Sequence, residues 1–319
     1  MSVAFLFPGQ GSQHQGMLHD LPACASTAVT LEEASRILSR DIFELDSEVA
    51  LRSTVVAQLA LLITEVVYGR ALISEGAVPN MVGGLSVGSY AAAVIAESLD
   101  LSSALTLVRL RGELMEKVFP HGHGMVAITG LDEKQVSALV AEITSRGAPI
   151  FLANVNAPRQ IVVSGALAGL EKLMEKVRLA GGSKAQRLDV AVPSHCQLLN
   201  PIAEELDRAA AGISLRDPKY VYVGNRSGRP LRDSVSVRDD LVSNVAHTVR
   251  WHDATTLMFE LGARLFLELP PGCVLTKLAA TSFPEARAIA CAGSRVGFIA
   301  QLIRKYHQLK PVRSGVSKE

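Results

Sequence analysis

The stretch GLSVGSYAAAV, Gly84 to Val94, sets a serine between two glycines with an alanine-rich segment behind it. Met81-Val82-Gly83 just before it supplies a few extended residues, so the order is strand, turn, helix. A GxSxG turn between a strand and a helix can hold its serine strained, with Oγ exposed at the carboxyl edge of a sheet. The flanking glycines leave room for backbone and substrate to approach. A helix over Val87 to Glu97 would point its N-terminus at the reacting centre. The Val87 amide has no intrahelical partner and is free to stabilise an oxyanion. Gly, Ser and Ala are common residues, however, and by itself the pattern fits an ordinary β-to-α turn equally well.

Outward from this turn the chain reads as alternating strands and helices. Val3 to Phe7 is a short apolar strand ended by Pro8-Gly9 and followed by the polar loop GQGSQHQG. Helical periodicity follows over Leu31 to Leu38, then over Val55 to Ile73, a segment apolar almost all round and therefore expected to be buried. Leu101 to Phe119 reads as another helix, ended by Pro120 to Gly124. The pattern then tightens: strand Met125 to Thr129, helix Glu133 to Thr144, strands Ile150 to Asn154 and Gln160 to Ser164, helix Leu167 to Ala180, strand Ala185 to Val190. That order is the split βαβ, or ferredoxin-like, arrangement, here inserted into a larger α/β body. The body resumes with helices near Gln197 to Ala210, Ser236 to Ala246 and Asp253 to Leu261, then a strand Arg264 to Leu269 closed by Pro270-Pro271-Gly272. The tail from Lys310 is polar and expected to fray.

Composition narrows the function classes. With 319 residues, 48% of them hydrophobic, and a formal net charge of +1, the chain has area for a real core and no charge excess that calls for a polyanion. Nucleic acid is not an expected partner. Uninterrupted apolar runs such as Leu59 to Ile63 fall far short of the roughly 20 residues that span a bilayer, so no membrane is expected either. The N-terminus MSVAFLFPGQ lacks a basic n-region and is broken by Pro8-Gly9, which reads as a buried first strand of a cytoplasmic protein. Cys24, Cys196, Cys273 and Cys291 are far apart with no CxxC pair, so buried thiols are expected in place of a zinc site or a disulfide framework.

A serine hydroxyl is a poor nucleophile until a base takes its proton, so Ser86 needs a histidine from a loop at the same sheet edge. Of eight histidines, His195 in VAVPSHCQLL follows a strand and a proline turn and precedes a helix, where such a base belongs. Cys196 beside it is a weaker candidate nucleophile, since adjacent residues after a turn usually point apart. His121 and His123 lack a third ligand at useful spacing and read as solvent loop; no metal is expected. Arg111, in LVRLRGELMEKV, is either a functional cation or a surface arginine paired with Glu113 or Glu116. The loop FPGQGSQ could supply an oxyanion amide, but no Gly-Lys-Ser/Thr follows it, so it is not a phosphate cradle.

Taken together, FPGQGSQ at Phe7 to Gln13, GLSVGSYAAAV, LVRLRGELM at Leu107 to Met115, NVNAPRQIVVSG at Asn154 to Gly165 and VPSHC at Val192 to Cys196 closely resemble the malonyl-CoA:acyl carrier protein transacylase family, in order and spacing, over nearly the whole chain. The resemblance implies an α/β-hydrolase-like body, residues 1–123 and 192–319, with an inserted ferredoxin-like subdomain, residues 124–191. It implies an acyltransferase that moves a malonyl group from malonyl-CoA to an acyl carrier protein thiol through a Ser86 acyl-enzyme. The coenzyme A thioester is then a substrate, and no cofactor is permanently bound.

By position, the resemblance makes Ser86 the nucleophile, His195 its base, Gln10 and Val87 the oxyanion amides and Arg111 the partner of the malonyl carboxylate, with Asn156 near the site. It also implies that a backbone carbonyl orients the histidine, at the position of Arg250 in HTVRWHDA, which would bring a second positive side chain to the mouth of the site. Leu85 stands where the common form of the motif has histidine, which bears on substrate discrimination. Within the family, GLSVGSYAAAV, RWHDATTL and LELPPGCVLTKL look most like the epsilon subunit of malonate decarboxylase, which primes that enzyme's own carrier protein. The other readings are a malonyl transacylase of fatty-acid or polyketide synthesis, a thioester hydrolase, and a non-catalytic acyl-binding subunit.

Overall fold

The computed structural model describes residues 1–118, 121–188, 190 and 192–309. The first part of the body comprises β1 (Ser2–Phe7), α1 (Ala25–Leu38), α2 (Thr54–Ser74), β2 (Met81–Gly84), α3 (Gly88–Ile95) and α4 (Leu101–Val118). The smaller unit follows: β3 (His123–Thr129), α5 (Glu133–Ser145), β4 (Ile150–Ala157), β5 (Gln160–Ala166), α6 (Leu167–Leu179) and β6 (Lys184–Arg187). The body resumes with α7 (Asn200–Ala210), β7 (Val221–Val223), β8 (Pro230–Leu231), α8 (Ser234–Ser243), α9 (Trp251–Glu260), β9 (Ala263–Glu268), α10 (Val274–Ser282), β10 (Arg287–Ala290) and α11 (Val296–Gln308).

The body's sheet has the order β10-β9-β1-β2-β7-β8, parallel except at the β7–β8 edge. A parallel sheet is covered on both faces, and β1 shows how. Val3, Phe5 and Phe7 feed a core shared with α2, α3 and α4, while Ala4 and Leu6 alternate into a second core with Trp251 and Met258 of α9 and Leu275 of α10. Each buried large apolar side chain contributes about 1.5–3 kcal/mol relative to exposure. In register, Phe7 lies opposite Gly84, so β1 and β2 end together and their following loops emerge side by side. The chain steps from β1 to β2 on one side and to β9 on the other, and the crevice beyond the carboxyl ends at such a point is where α/β sheets bind ligands.

The second sheet is antiparallel, ordered β4-β5-β3-β6, with α5 and α6 packed on it over Val126, Ile128, Val163, Leu170 and Leu173. A capping box between Asp132 and Gln135 starts α5. The two units are stitched where β4 meets the segment before α9. The Val155 amide donates to Val249 O and the Val249 amide to Ala153 O, each at 2.9 Å, and Arg250 pairs with Glu133 at 2.5 Å.

Several expected boundaries move. The helix read over Leu31 to Leu38 starts at Ala25, and those read over Gln197 to Ala210 and Ser236 to Ala246 each carry a 3-10 turn, Gln197–Leu199 and Asn244–Ala246. β7, β8, β10, α10 and α11 were not foreseen; β7 and β8 have only 3 and 2 residues, too few to show a period. Phe119, Pro120, Asp189 and the tail from Lys310 lie outside the described residues. The cysteine expectation is corrected: Cys24 and Cys273 are exposed because both stand at helix N-caps, while Cys196 and Cys291 are buried. α2, contrary to the run-length argument, is long and apolar enough to cross a membrane, but 83% of its apolar window is buried inside the fold.

One side chain in α2 runs against its surroundings. Glu65 has 0% exposure and neither carboxylate oxygen has a hydrogen-bond partner among the described residues. Burial first, and then the neighbouring Glu268 carboxyl, hold Glu65 well above the usual carboxylate range. A folded-state value above the unfolded one gives stability that is full at low pH and is lost as pH rises through the folded value. Glu65→Gln, which keeps the shape with no proton to retain, is expected to raise Tm more at about pH 8 than at about pH 5. Equal changes at both values in thermal melts would show that the carboxyl is not held neutral.

Candidate active site

Ser86 sits immediately beyond β2 with φ +56, a left-handed conformation that a residue bearing a Cβ pays about 1–2 kcal/mol to adopt. The turn is tight enough to demand both glycines. A Cβ on Gly84 would lie 2.1 Å from the Gly88 carbonyl, and one on Gly88 would lie 2.3 Å from Phe7 O. The first turn of α3 therefore packs directly onto the end of β1. Asn225, which follows β7 and is 3% exposed, clamps the elbow from the other side. Its Oδ1 accepts the Ser86 amide at 2.9 Å and its Nδ2 donates to Gly84 O at 2.8 Å. Asp240 holds Asn225 in turn by accepting the amides of Asn225 and Arg226, each at 3.0 Å.

His195, also left-handed at φ +63, is brought to Ser86 from the loop before α7. Its Nε2 lies 2.7 Å from Ser86 Oγ and its Nδ1 2.7 Å from Asn244 O, while its amide donates to Val245 O at 2.8 Å. A carbonyl only accepts, so Nδ1 carries the hydrogen and Nε2 presents its lone pair to the serine hydroxyl. Burial, and then the Arg111 charge, push the imidazole down to about 4. Its partner in orientation is Asn244, not Arg250. The 3-10 turn Asn244–Ala246 aims its first carbonyl at the ring, a choice among neighbouring carbonyls that sequence position does not reveal. The Arg250 guanidinium is committed to Glu133 and Asp253, and it bonds none of Ser86, His195 or Arg111 among the described residues.

Arg111 has 1% exposure. Nη1 donates to Gln58 Oε1 at 2.7 Å and Nη2 to Ser86 Oγ at 3.1 Å, whereas Nε is buried without a partner among the described residues. Among the described residues no carboxylate pairs with it; Glu113 pairs with Arg109, and Glu116 bonds Ser53. A buried cation without a counter-ion is costly, and an anion delivered to its free edge removes that cost. Gln58 also donates to Gln10 Oε1 at 3.2 Å, tying Arg111 to the FPGQGSQ loop.

Neither the Gln10 nor the Val87 amide donates to a protein acceptor among the described residues, and both belong to the two loops that Gly88 brings together. Asn156 is buried on β4 with Oδ1 unpartnered among the described residues, where it bonds none of Ser86, His195 or Arg111. Leu85 turns to the apolar cluster of Val249, Trp251 and Met258. Cys196 points away: its Sγ donates to Pro193 O at 3.1 Å, and burial raises the thiol. No three His, Cys, Asp or Glu converge on a metal position among the described residues.

A cleft of about 420 Å³ between the two units is lined by Val140, Phe151, Leu152, His195 and His247. A separate cavity of about 650 Å³ beside His14, Tyr68 and Arg295 is lined by none of Ser86, Arg111 or His195. Asn225, Asn244, Ser89 and Gln58 were not anticipated. The only trace of Asn225 in the sequence is a polar residue closely following the apolar Val221-Tyr222-Val223.

The geometry has close counterparts among known proteins. The acyl transferase domain model matches residues 4–310. A malonyl CoA-acyl carrier protein transacylase of Bacillus subtilis is 34% identical over 282 residues, 86% of this chain and 89% of that protein. The solved transacylase of the same description from Coxiella burnetii superposes with a TM-score of 0.90 at 30% identity, over 96% of this chain and 98% of its own. A structure of a type II PKS acyl-carrier protein in complex with its malonyl-transacylase matches at TM-score 0.89 and 32% identity, over 96% of this chain and 100% of that one. With the matched residues spanning both the elbow serine and the loop-borne histidine, the chain belongs to the acyl transferase domain family, among the malonyl-CoA:acyl carrier protein transacylases.

Proposed function

We propose that this protein transfers a malonyl group from malonyl-CoA to an acyl carrier protein thiol through a covalent intermediate on Ser86. The observation that carries the reading is a hydroxyl held between a neutral imidazole at 2.7 Å and a buried guanidinium, itself without a carboxylate, at 3.1 Å. In the first step His195 Nε2 takes the Ser86 proton, Oγ attacks the thioester carbonyl, and the oxyanion is held by the Gln10 and Val87 amides. Collapse expels the coenzyme A thiolate, which takes the proton back from His195. The carrier-protein thiol then gives its proton to His195 and attacks the acyl-serine carbonyl, the bond to Ser86 Oγ breaks, and Oγ takes that proton from His195 to restore the hydroxyl.

Arg111 sets the acyl class. A planar guanidinium can grip the distal carboxylate with parallel hydrogen bonds that an acetyl group cannot make. A charge-assisted grip of this kind is worth on the order of 1.5 to 3 kcal/mol. A hydrolase would share the elbow and base but has no use for an unpaired buried cation, so the transferase reading is favoured. The strand-to-helix elbow and the parallel sheet support describing the body as α/β-hydrolase-like. Within the family, GLSVGSYAAAV, RWHDATTL and LELPPGCVLTKL support the priming of a malonate decarboxylase carrier protein. Four free thiols are in keeping with a cytoplasmic setting. Incubation with malonyl-CoA and each candidate carrier protein, read by intact mass, identifies the acceptor.

Ser86→Ala is expected to abolish covalent malonyl labelling; retained label would mean another nucleophile. Arg111→Ala is expected to lower malonyl transfer by roughly ten- to a hundredfold while sparing acetyl transfer. Equal loss of both would make the arginine structural. Because His195 is pushed down to about 4 and acts as a base only when unprotonated, the rate of serine acylation should be flat at neutral pH and fall on the acid side towards that value. An acid limb centred near the ordinary histidine value of about 6.5 would show that the imidazole is solvated and charged more easily than its burial implies.

A further inference from the structure

The nucleophile and its base are joined by a second route besides their direct contact. Asn244 holds His195 with its main-chain carbonyl, and its side chain reaches the opposite way, where Nδ2 donates to Ser89 Oγ at 3.0 Å. Ser89, in the first turn of α3, donates its hydroxyl hydrogen to Ser86 O at 2.7 Å. A hydroxyl has one hydrogen, so Ser89 Oγ accepts from Asn244, and this fixes the amide's orientation. The four bonds form a closed ring in which every donor runs the same way round: Ser86 hydroxyl to His195, His195 to Asn244 O, Asn244 Nδ2 to Ser89, Ser89 hydroxyl to Ser86 O.

We propose that Ser89 and the side chain of Asn244 are positioning residues for acyl transfer, setting the distance and angle between Ser86 Oγ and His195 Nε2 through this ring. Three physical points support the assignment. Both residues are 0% exposed, so water does not compete for the bonds. Ser86 and His195 both have positive φ, and positive-φ residues persist only where surrounding bonds over-determine them. Ser89 Oγ both accepts from Asn244 Nδ2 and donates to Ser86 O, and hydrogen bonds that share a hydroxyl in this head-to-tail way polarise one another, so this pair is stiffer than either bond alone. Tyr222 steadies the same turn from the sheet, its hydroxyl donating to Ser89 O at 3.2 Å.

The proposal rests on Ser86 being the acylated residue, and the test separates the two. In the full-length protein, Ser89→Ala, Asn244→Ala and the double variant are compared for malonyl labelling mapped to Ser86, for kcat and KM with malonyl-CoA, and for Tm. Each single variant should lower kcat about ten- to a hundredfold with KM nearly unchanged and label still at Ser86, since a misplacement of about 1 Å costs this much. The double variant should be no slower than the worse single, because one broken link opens the whole ring. Unchanged kcat in the singles, losses that multiply in the double, or losses that vanish once the unfolded fraction is discounted would overturn it. If Ser89→Ala does not fold, Ser89→Cys, close in volume and a weak donor, takes its place with the same expectation. Label found elsewhere than Ser86 in the unaltered protein would overturn the functional reading itself.

Discussion

The contact on which the site depends is the approach of Gly88 to the carbonyls of Phe7 and Pro8. It presses the first turn of α3 against the end of the central strand, and Ser86 is lifted into left-handed backbone as a result. The same contact sets the Gln10 loop beside the turn that carries Val87, and neither amide donates to an acceptor among the described residues. A side chain at residue 88 would push the helix off the strand, separating the donors and relaxing the serine together. The strain is held by Asn225, which grips both sides of the turn with a single amide.

Around this elbow the electrostatics are arranged by exclusion of water. Among the described residues Arg111 is buried with one nitrogen unpartnered and no carboxylate on it, which leaves its charge directed at the space beside Ser86. Burial first, and then that charge, hold the His195 imidazole below its ordinary value. The same cation therefore adds to what burial does at the imidazole, while its own free edge faces the space beside Ser86. Gln58 links this cation to Gln10, so Arg111 and the FPGQGSQ loop are joined by one polar chain.

The elbow was legible because its chemistry is local. Two glycines at fixed spacing between an extended and a helical segment carry their own steric reason. The alternation of the second sheet was legible as well, since its strands and helices are long enough to show their periods. His195 could be singled out by its turn and helix context, and Arg111 by its place in an amphipathic helix, but neither residue's partner followed from spacing. Gln58, Asn225, Asn244 and Ser89 lie on four different segments and are ordinary polar residues until the fold buries them. Arg250 shows the opposite error: a cation beside the right segment was assigned to the site, while Glu133 of the other unit claims it.

The sequence by itself determined the class of the sheet, the turn that carries the serine, and the family to which the motifs point. These depend on contacts between residues a few positions apart, whose geometry is set by backbone sterics and side-chain period. Only the tertiary structure decided which carbonyl faces His195, that Arg111 has no carboxylate partner among the described residues, and that Asn225 and Asn244 hold Ser86 and His195. Those outcomes depend on which polar groups lose water when distant segments pack, and desolvation is a property of the assembled core.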